Sequence, residues 1–149
     1  MPGYRGHLAG GLLAGAGTLA GLIWFGIYLP DIKTALLLVS LVLMGALFPD
    51  VDTDSKGQNF FYAVLVVVDL ALLIQGDYKW SAILGFCALL PAVGRHRGWT
   101  HTWWAMLLVP LPMVILPVWL YQTPWQHLLP FYGATVLGYF SHLLLDRKF

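Results

Sequence analysis

The chain has 149 residues, of which 59% are hydrophobic and only 10% charged, and its mean hydropathy is +0.75. That is far more apolar than a soluble domain of this size, and it places the chain in a membrane. The net charge of +1 lacks the basic excess of a general nucleic-acid binder, so no nucleic-acid partner is expected, and a single cysteine excludes an intrachain disulfide or a Cys-rich zinc ribbon.

Polar punctuation cuts the sequence into six apolar stretches: Leu8 to Leu29, Thr34 to Phe48, Phe60 to Ile74, Trp80 to Val93, Trp99 to Tyr121 and Leu128 to Leu145. They predict an all-α, polytopic helical bundle with about six transmembrane helices and one domain over residues 1–149. The first apolar run exceeds the roughly 7 to 15 residues of a signal-peptide core, so it is read as a span. Within it, Gly11 with Gly15 and Gly17 with Gly21 form small-xxx-small pairs suited to close helix packing, inside the chain before between chains. Several middle stretches fall short of the ~20 residues that cross a ~30 Å hydrocarbon core. Asp69 stands well inside the third stretch with no intramembrane base to pair with, which predicts a protonated carboxyl or a hydrogen bond to Ser, Thr or Tyr. Cys87, in the fourth, reads as a small packed hydrophobe. Pro110, Pro112 and Pro117 should kink or divide the fifth.

An even number of crossings returns a chain to the same face. His7 precedes the first stretch, FPDVDTD (Phe48 to Asp54) follows the second, GRHRGWTH (Gly94 to His101) follows the fourth, and SHLLLD (Ser141 to Asp146) closes the sixth. One face therefore gathers His7, His96, His101, His142, Asp50, Asp52, Asp54 and Asp146. The other carries ordinary connections, and His127 there reads as a headgroup-level residue. Arg5, Lys56, Arg95, Arg97, Arg147 and Lys148 lie on the His/Asp face against Lys33 and Lys79 opposite, which predicts that this face is cytoplasmic.

Spacing points to metal. His142 and Asp146, four apart on a helix, present two ligands from one face. Asp50 and Asp52 flank Val51 after Pro49; in an extended segment both would point into one pocket. Gly98 interrupts regular helix between His96 and His101, so His96 is expected on a loop, Thr100 or a neighbour as the N-cap, and His101 in the first turn of the fifth helix. His7, Asp50, Asp52, His96, His101, His142 and Asp146 exceed the needs of one tetrahedral ion. They predict two divalent ions, zinc foremost, with manganese or iron also suited to imidazole and carboxylate ligands.

Together, His7, the PDVD of Pro49 to Asp52, the HRGWTH of His96 to His101 and the SHLLLD of Ser141 to Asp146 resemble the signature of the YdjM-like, inner-membrane-associated, metal-dependent hydrolases. The resemblance spans nearly the whole chain, and it implies that these positions are the metal and catalytic residues of a membrane-embedded hydrolase, with Asp52 and Arg97 as the catalytic pair. More distantly, the pattern is similar to zinc-dependent phospholipase C, although the absence of any Glu departs from patterns that require a glutamate ligand. The basic neighbours Arg95, Arg97 and Arg147 suit a phosphoester through guanidinium–phosphate forks, with membrane lipid as the nearest substrate, and Arg97 is assigned to phosphate binding or ligand orientation. The expected activity is phosphoester hydrolysis of a phospholipid or lipid-linked phosphate at the cytoplasmic leaflet of the inner membrane. The alternatives are a metal-binding transporter or sensor, and an assembly subunit whose metal fastens helix ends. Oligomeric state, headgroup and the bond cleaved stay open.

Overall fold

A computed structural model describes residues 3–51, 56–89 and 99–146. The described residues are helical, without strands: α1 (Tyr4–Trp24), α2 (Ile32–Leu47), α3 (Lys56–Gln75), α4 (Tyr78–Leu89), α5 (Trp103–Leu108), α6 (Pro112–Tyr121) and α7 (Leu129–Leu145). Each apolar stretch of the sequence becomes helix, and the fifth becomes two. α1, α2 with its terminal turn, α3 and the Trp103–Tyr121 segment are long and apolar enough to cross a membrane, while α7, at 17 residues, is shorter. Their outward faces are bare hydrocarbon: Trp24 and Ile74 are each 86% exposed. In water that would be a large unsatisfied apolar surface; in a bilayer it is the solvated one.

Hydropathy marks where the chain enters oil, whereas helical hydrogen bonding starts earlier. α1 opens at Tyr4, so His7 lies inside its first turns, not ahead of the helix as its hydropathy suggested. The consequence is positional. His7, Gly11 and Gly15 stand at i, i+4 and i+8 and are the buried residues of α1, one line facing α2 and α7. A Cβ on Gly11 would stand 2.8 Å from Ala46 Cβ, and one on Gly15 would stand 3.0 Å from Val42. Around Gly17 and Gly21 there is open space, so the second small-residue pair meets no packing partner among the described residues.

The tightest contact in the molecule is α2 on α7. A side chain on Gly45 would strike the Thr135 carbonyl, and one on Gly138 the backbone of Val42, so these helices meet backbone to backbone as small residues allow in membranes. α2 starts on Asp31, whose carboxylate accepts from the amides of Lys33 (2.9 Å) and Thr34 (3.1 Å). Apolar packing concentrates toward the other end of this helix group. Leu47, Val51 and Phe61 form one buried cluster and Ala105, Tyr139 and Leu143 another, with Phe48 touching both.

The prolines divide the fifth stretch. Pro110 has no N–H to give Met106, and Pro112 begins a new helix, so Val109 to Leu111 form a turn between α5 and α6. Leu111 N–H turns to Leu108, and the freed Leu107 carbonyl accepts the Tyr132 hydroxyl at 2.9 Å. α3 and α4 pair with each other. Asp69 finds the predicted hydroxyl, accepting from the buried Ser81 at 2.7 Å.

Candidate metal centre

Four chain segments converge at one end of the bundle. α1 brings His7, the 3-10 turn Phe48–Asp50 brings Asp50, the 3-10 turn Trp99–His101 brings His101, and the end of α7 brings His142 and Asp146. The i, i+4 pair behaves as its spacing predicts, with His142 Nε2 3.5 Å from Asp146 Oδ2. Two local geometries differ from expectation. Phe48–Asp50 continues α2 as a tight 3-10 turn and Val51 is also right-handed, so the backbone is not extended at these residues, and the pairing of Asp50 with Asp52 lies outside the described residues. His101 sits in a turn ahead of α5, because Thr102 takes the N-cap and accepts from Ala105 N–H. Asp52, His96, Arg95, Arg97 and Arg147, together with Asp54 and Lys148, lie outside the described residues. His127 is exposed in a separate turn.

The five described residues form one polar knot in a dry surrounding. His7 and His142 are 1% and 0% exposed, and the side chain of Asp146 is 3% exposed, while Asp50 at 26% gives the knot its opening. Asp50 Oδ1 faces His101 Nε2 at 3.5 Å and His142 Nε2 at 3.7 Å; Asp146 Oδ2 faces the same nitrogens at 3.8 and 3.5 Å. The opposite carboxylate oxygens face His7 Nε2, Asp146 Oδ1 at 3.5 Å and Asp50 Oδ2 at 3.9 Å. The two aspartates thus divide their oxygens between two sides.

Second contacts fix what each nitrogen offers. His142 Nδ1 lies 2.7 Å from the Ala46 carbonyl, which can only accept, so Nδ1 carries a proton, and when the ring is neutral Nε2 presents a lone pair. That lone pair points at two carboxylate oxygens, a repulsive arrangement that a cation between them reverses. His142 Nε2, His7 Nδ1 and Asp146 Oδ1 are buried with no hydrogen-bond partner among the described residues. Leaving such groups unpaired costs roughly 1–3 kcal/mol each. The donor set fits a divalent cation on both counts. One ligand atom from each of Asp50, His101, His142 and Asp146 lies within 4.8 Å of the others, and the separations above exceed a tetrahedral edge of about 3.4 Å by only a few tenths of an ångström.

Ring orientation limits how one ion can be shared. A metal lies in the plane of the imidazole that binds it. The planes of His101 and His142 cross at 68°, so both can aim at one point. His7 and His142 are stacked at 3.8 Å with their planes only 16° apart, so no single point lies along both lone pairs.

The aspartates' partners were legible as motifs, but the positioning groups were not. The Tyr139 hydroxyl donates to the buried Thr100 carbonyl, tying the His101 turn to α7, and Thr100 Oγ1 sits 3.3 Å from His101 Nδ1. The available signal was spacing: Tyr139 precedes His142 by three positions and shares its helix face.

The family model described as YdjM inner membrane protein matches residues 1–147. The chain belongs to the YdjM family. No curated protein and no solved structure matches it. Family membership and the apolar helices together make it an integral protein of the inner membrane. In this YdjM chain, the matched region contains the complete described polar knot.

Proposed function

We propose that the knot is a two-ion centre and that the protein is a metal-dependent hydrolase acting on a phosphoester of a phospholipid or lipid-linked phosphate at the cytoplasmic leaflet. The observation that carries this reading is the buried His142 Nε2, which has no hydrogen-bond partner among the described residues and faces carboxylate oxygens of Asp50 at 3.7 Å and Asp146 at 3.5 Å. His101 and His142 would hold one ion together with Asp50 and Asp146, and His7 would hold the second with the same two aspartates. Zinc suits the ligand set best; manganese and iron suit it next.

When bound, the ions supply the Lewis acidity that activates water for in-line displacement. The protein's part is positional. Ala46 locks the His142 tautomer, Tyr139 anchors the His101 turn, and the half-open Asp50 admits water and substrate. Arg97, assisted by Arg95 and Arg147, grips phosphoryl oxygens, and Asp52 takes the proton from the attacking water. One bond forms between water oxygen and phosphorus, one phosphorus–oxygen ester bond breaks, and the departing alkoxide takes up a proton. The basic residues on this face orient it to the cytoplasm.

Elemental analysis of the purified protein should find about two ions per chain, and both His142→Ala and Asp50→Ala should lose them. Full occupancy in both variants refutes the centre. Zinc- or manganese-dependent release of product from a phospholipid panel tests the reaction. Accumulation of metal inside proteoliposomes without product would instead select transport. A reporter fused at the C-terminus should read cytoplasmic.

A further inference from the structure

An apolar groove of about 560 Å³ runs between α3, α4 and the α5/α6 pair. One end is walled by Phe48 and Trp99, each two residues ahead of a proposed ligand, Asp50 and His101. The far end reaches Leu72 on α3 and Trp80 on α4. Along α3 the lining runs from Phe61 to Leu72, about 16 Å at the helical rise, which is close to half of the ~30 Å hydrocarbon core. The groove is therefore as deep as one leaflet. Its walls are aromatic and aliphatic with the sulfur side chains of Cys87 and Met113, and the one acidic residue within α3, Asp69, is occupied by Ser81.

We infer that this groove binds one hydrocarbon tail of the lipid whose phosphate reaches the metal centre. The inference rests on the hydrolase reading for its substrate and on the groove's continuity with the ligand-bearing turns for its occupant. A lipid headgroup at Asp50 has its tail directed toward the bilayer midplane, and this groove is the apolar channel that begins there. A second groove of about 350 Å³, between α1, α2 and α7, shows the contrast. Its lining comes no nearer in sequence to a proposed ligand than Leu137, five positions from His142.

The test is photo-crosslinking in nanodiscs containing phosphatidylglycerol with a mid-chain diazirine, followed by peptide mapping. Labelling at Leu65, Leu84 and Leu116 should exceed, several-fold, that at Leu13 and Trp24 on the open face of α1, which are 76% and 86% exposed to the same lipid. Leu84→Trp fills the groove and should remove most of its labelling while α1 labelling holds; Cys87→Trp, three residues on, is the second filler should the first not fold. Groove labelling no denser than on α1 overturns the inference, whether protein or nothing fills the space. Metal content is read on the same samples. Metal-free wild-type protein with a densely labelled groove keeps the tail site and removes the hydrolase; metal-loaded protein with an unlabelled groove does the reverse.

Discussion

α2 and α7 meet backbone against backbone at Gly45 and Gly138, and α1 sets Gly11 and Gly15 against side chains of α2, whereas α3, α4 and α6 stand around the larger apolar groove. The difference suits what each side is proposed to hold. Imidazoles must be kept within a few tenths of an ångström of productive geometry, so His7 and His142 are carried by helices that cannot slide. A lipid tail needs volume and a smooth wall, which side chains provide only if they do not interlock. The Ala46 carbonyl gives the same lesson at atomic scale: α2 can fix the His142 tautomer only because Gly45 and Gly138 let α2 and α7 approach so closely.

Breaking the tight side should have the largest effect. Gly138→Val drives a side chain into the Val42 backbone, which cannot give way, so the helices must separate and His142 must leave Ala46. Loss of both a monodisperse folded species and its metal is expected, read by size exclusion and elemental analysis. The matched control is Gly85→Ala on α4, where a Cβ meets nothing within 4 Å. That variant should keep its metal and shift stability by no more than the ~1 kcal/mol that separates Gly from Ala in a helix. Equal damage from the two would erase the contrast between the sides.

How much of this was readable in advance divides along the same line. The six apolar stretches, the division at Pro110 and Pro112, the Asp69 hydroxyl partner and the His142–Asp146 pair all follow from short-range rules, because period and proline chemistry act within a few residues. His7 shows where such reading falls short. Hydropathy put it ahead of the first helix, yet its four-residue spacing to Gly11 and Gly15 already placed it on the packing face. The backbone at Asp50, though not its place in the cluster, was misjudged because proline was taken to end helical geometry, although a 3-10 turn accepts proline in its first positions. The Tyr139–Thr100 link, 39 positions apart, and the groove depend on how whole helices lean together. No local pattern encodes that.

A smaller effect sharpens the comparison inside the centre. Tyr139→Phe removes only the hydroxyl that donates to the Thr100 carbonyl, so α7 and its two ligands stay while the His101 turn is released. Tyr139 acts as a positioning residue. Metal affinity should fall by about the 10–100-fold typical of groups that orient ligands, with stability reduced by roughly 1 kcal/mol for the lost hydrogen bond. Competition titration with a chelator reads the first quantity and thermal unfolding of the metal-loaded protein the second. A drop in stability with unchanged affinity would make Tyr139 structural only.

The smallest expected effect separates the two ends of α2 by pH. At the Asp50 end, protons compete with metal for three imidazole ligands, so acidification should first release ions there. At the Asp31 end, the Thr34 hydroxyl at 2.6 Å, helped by the Thr34 and Lys33 amides, holds the carboxyl below its ordinary range. A depressed folded-state pKa stabilises above the unfolded value of about 3.9 and is lost only as pH falls through the folded one. Metal release should therefore precede any weakening of the α2 start. Asp31→Asn keeps a capping oxygen but has no proton to gain, so it should flatten the thermal-midpoint change below about pH 4 while leaving the metal-release curve where it was. A shift of that curve in Asp31→Asn would mean that α2 transmits strain along its length, and that the rigidity assigned to the glycine contacts extends to the opposite face of the membrane.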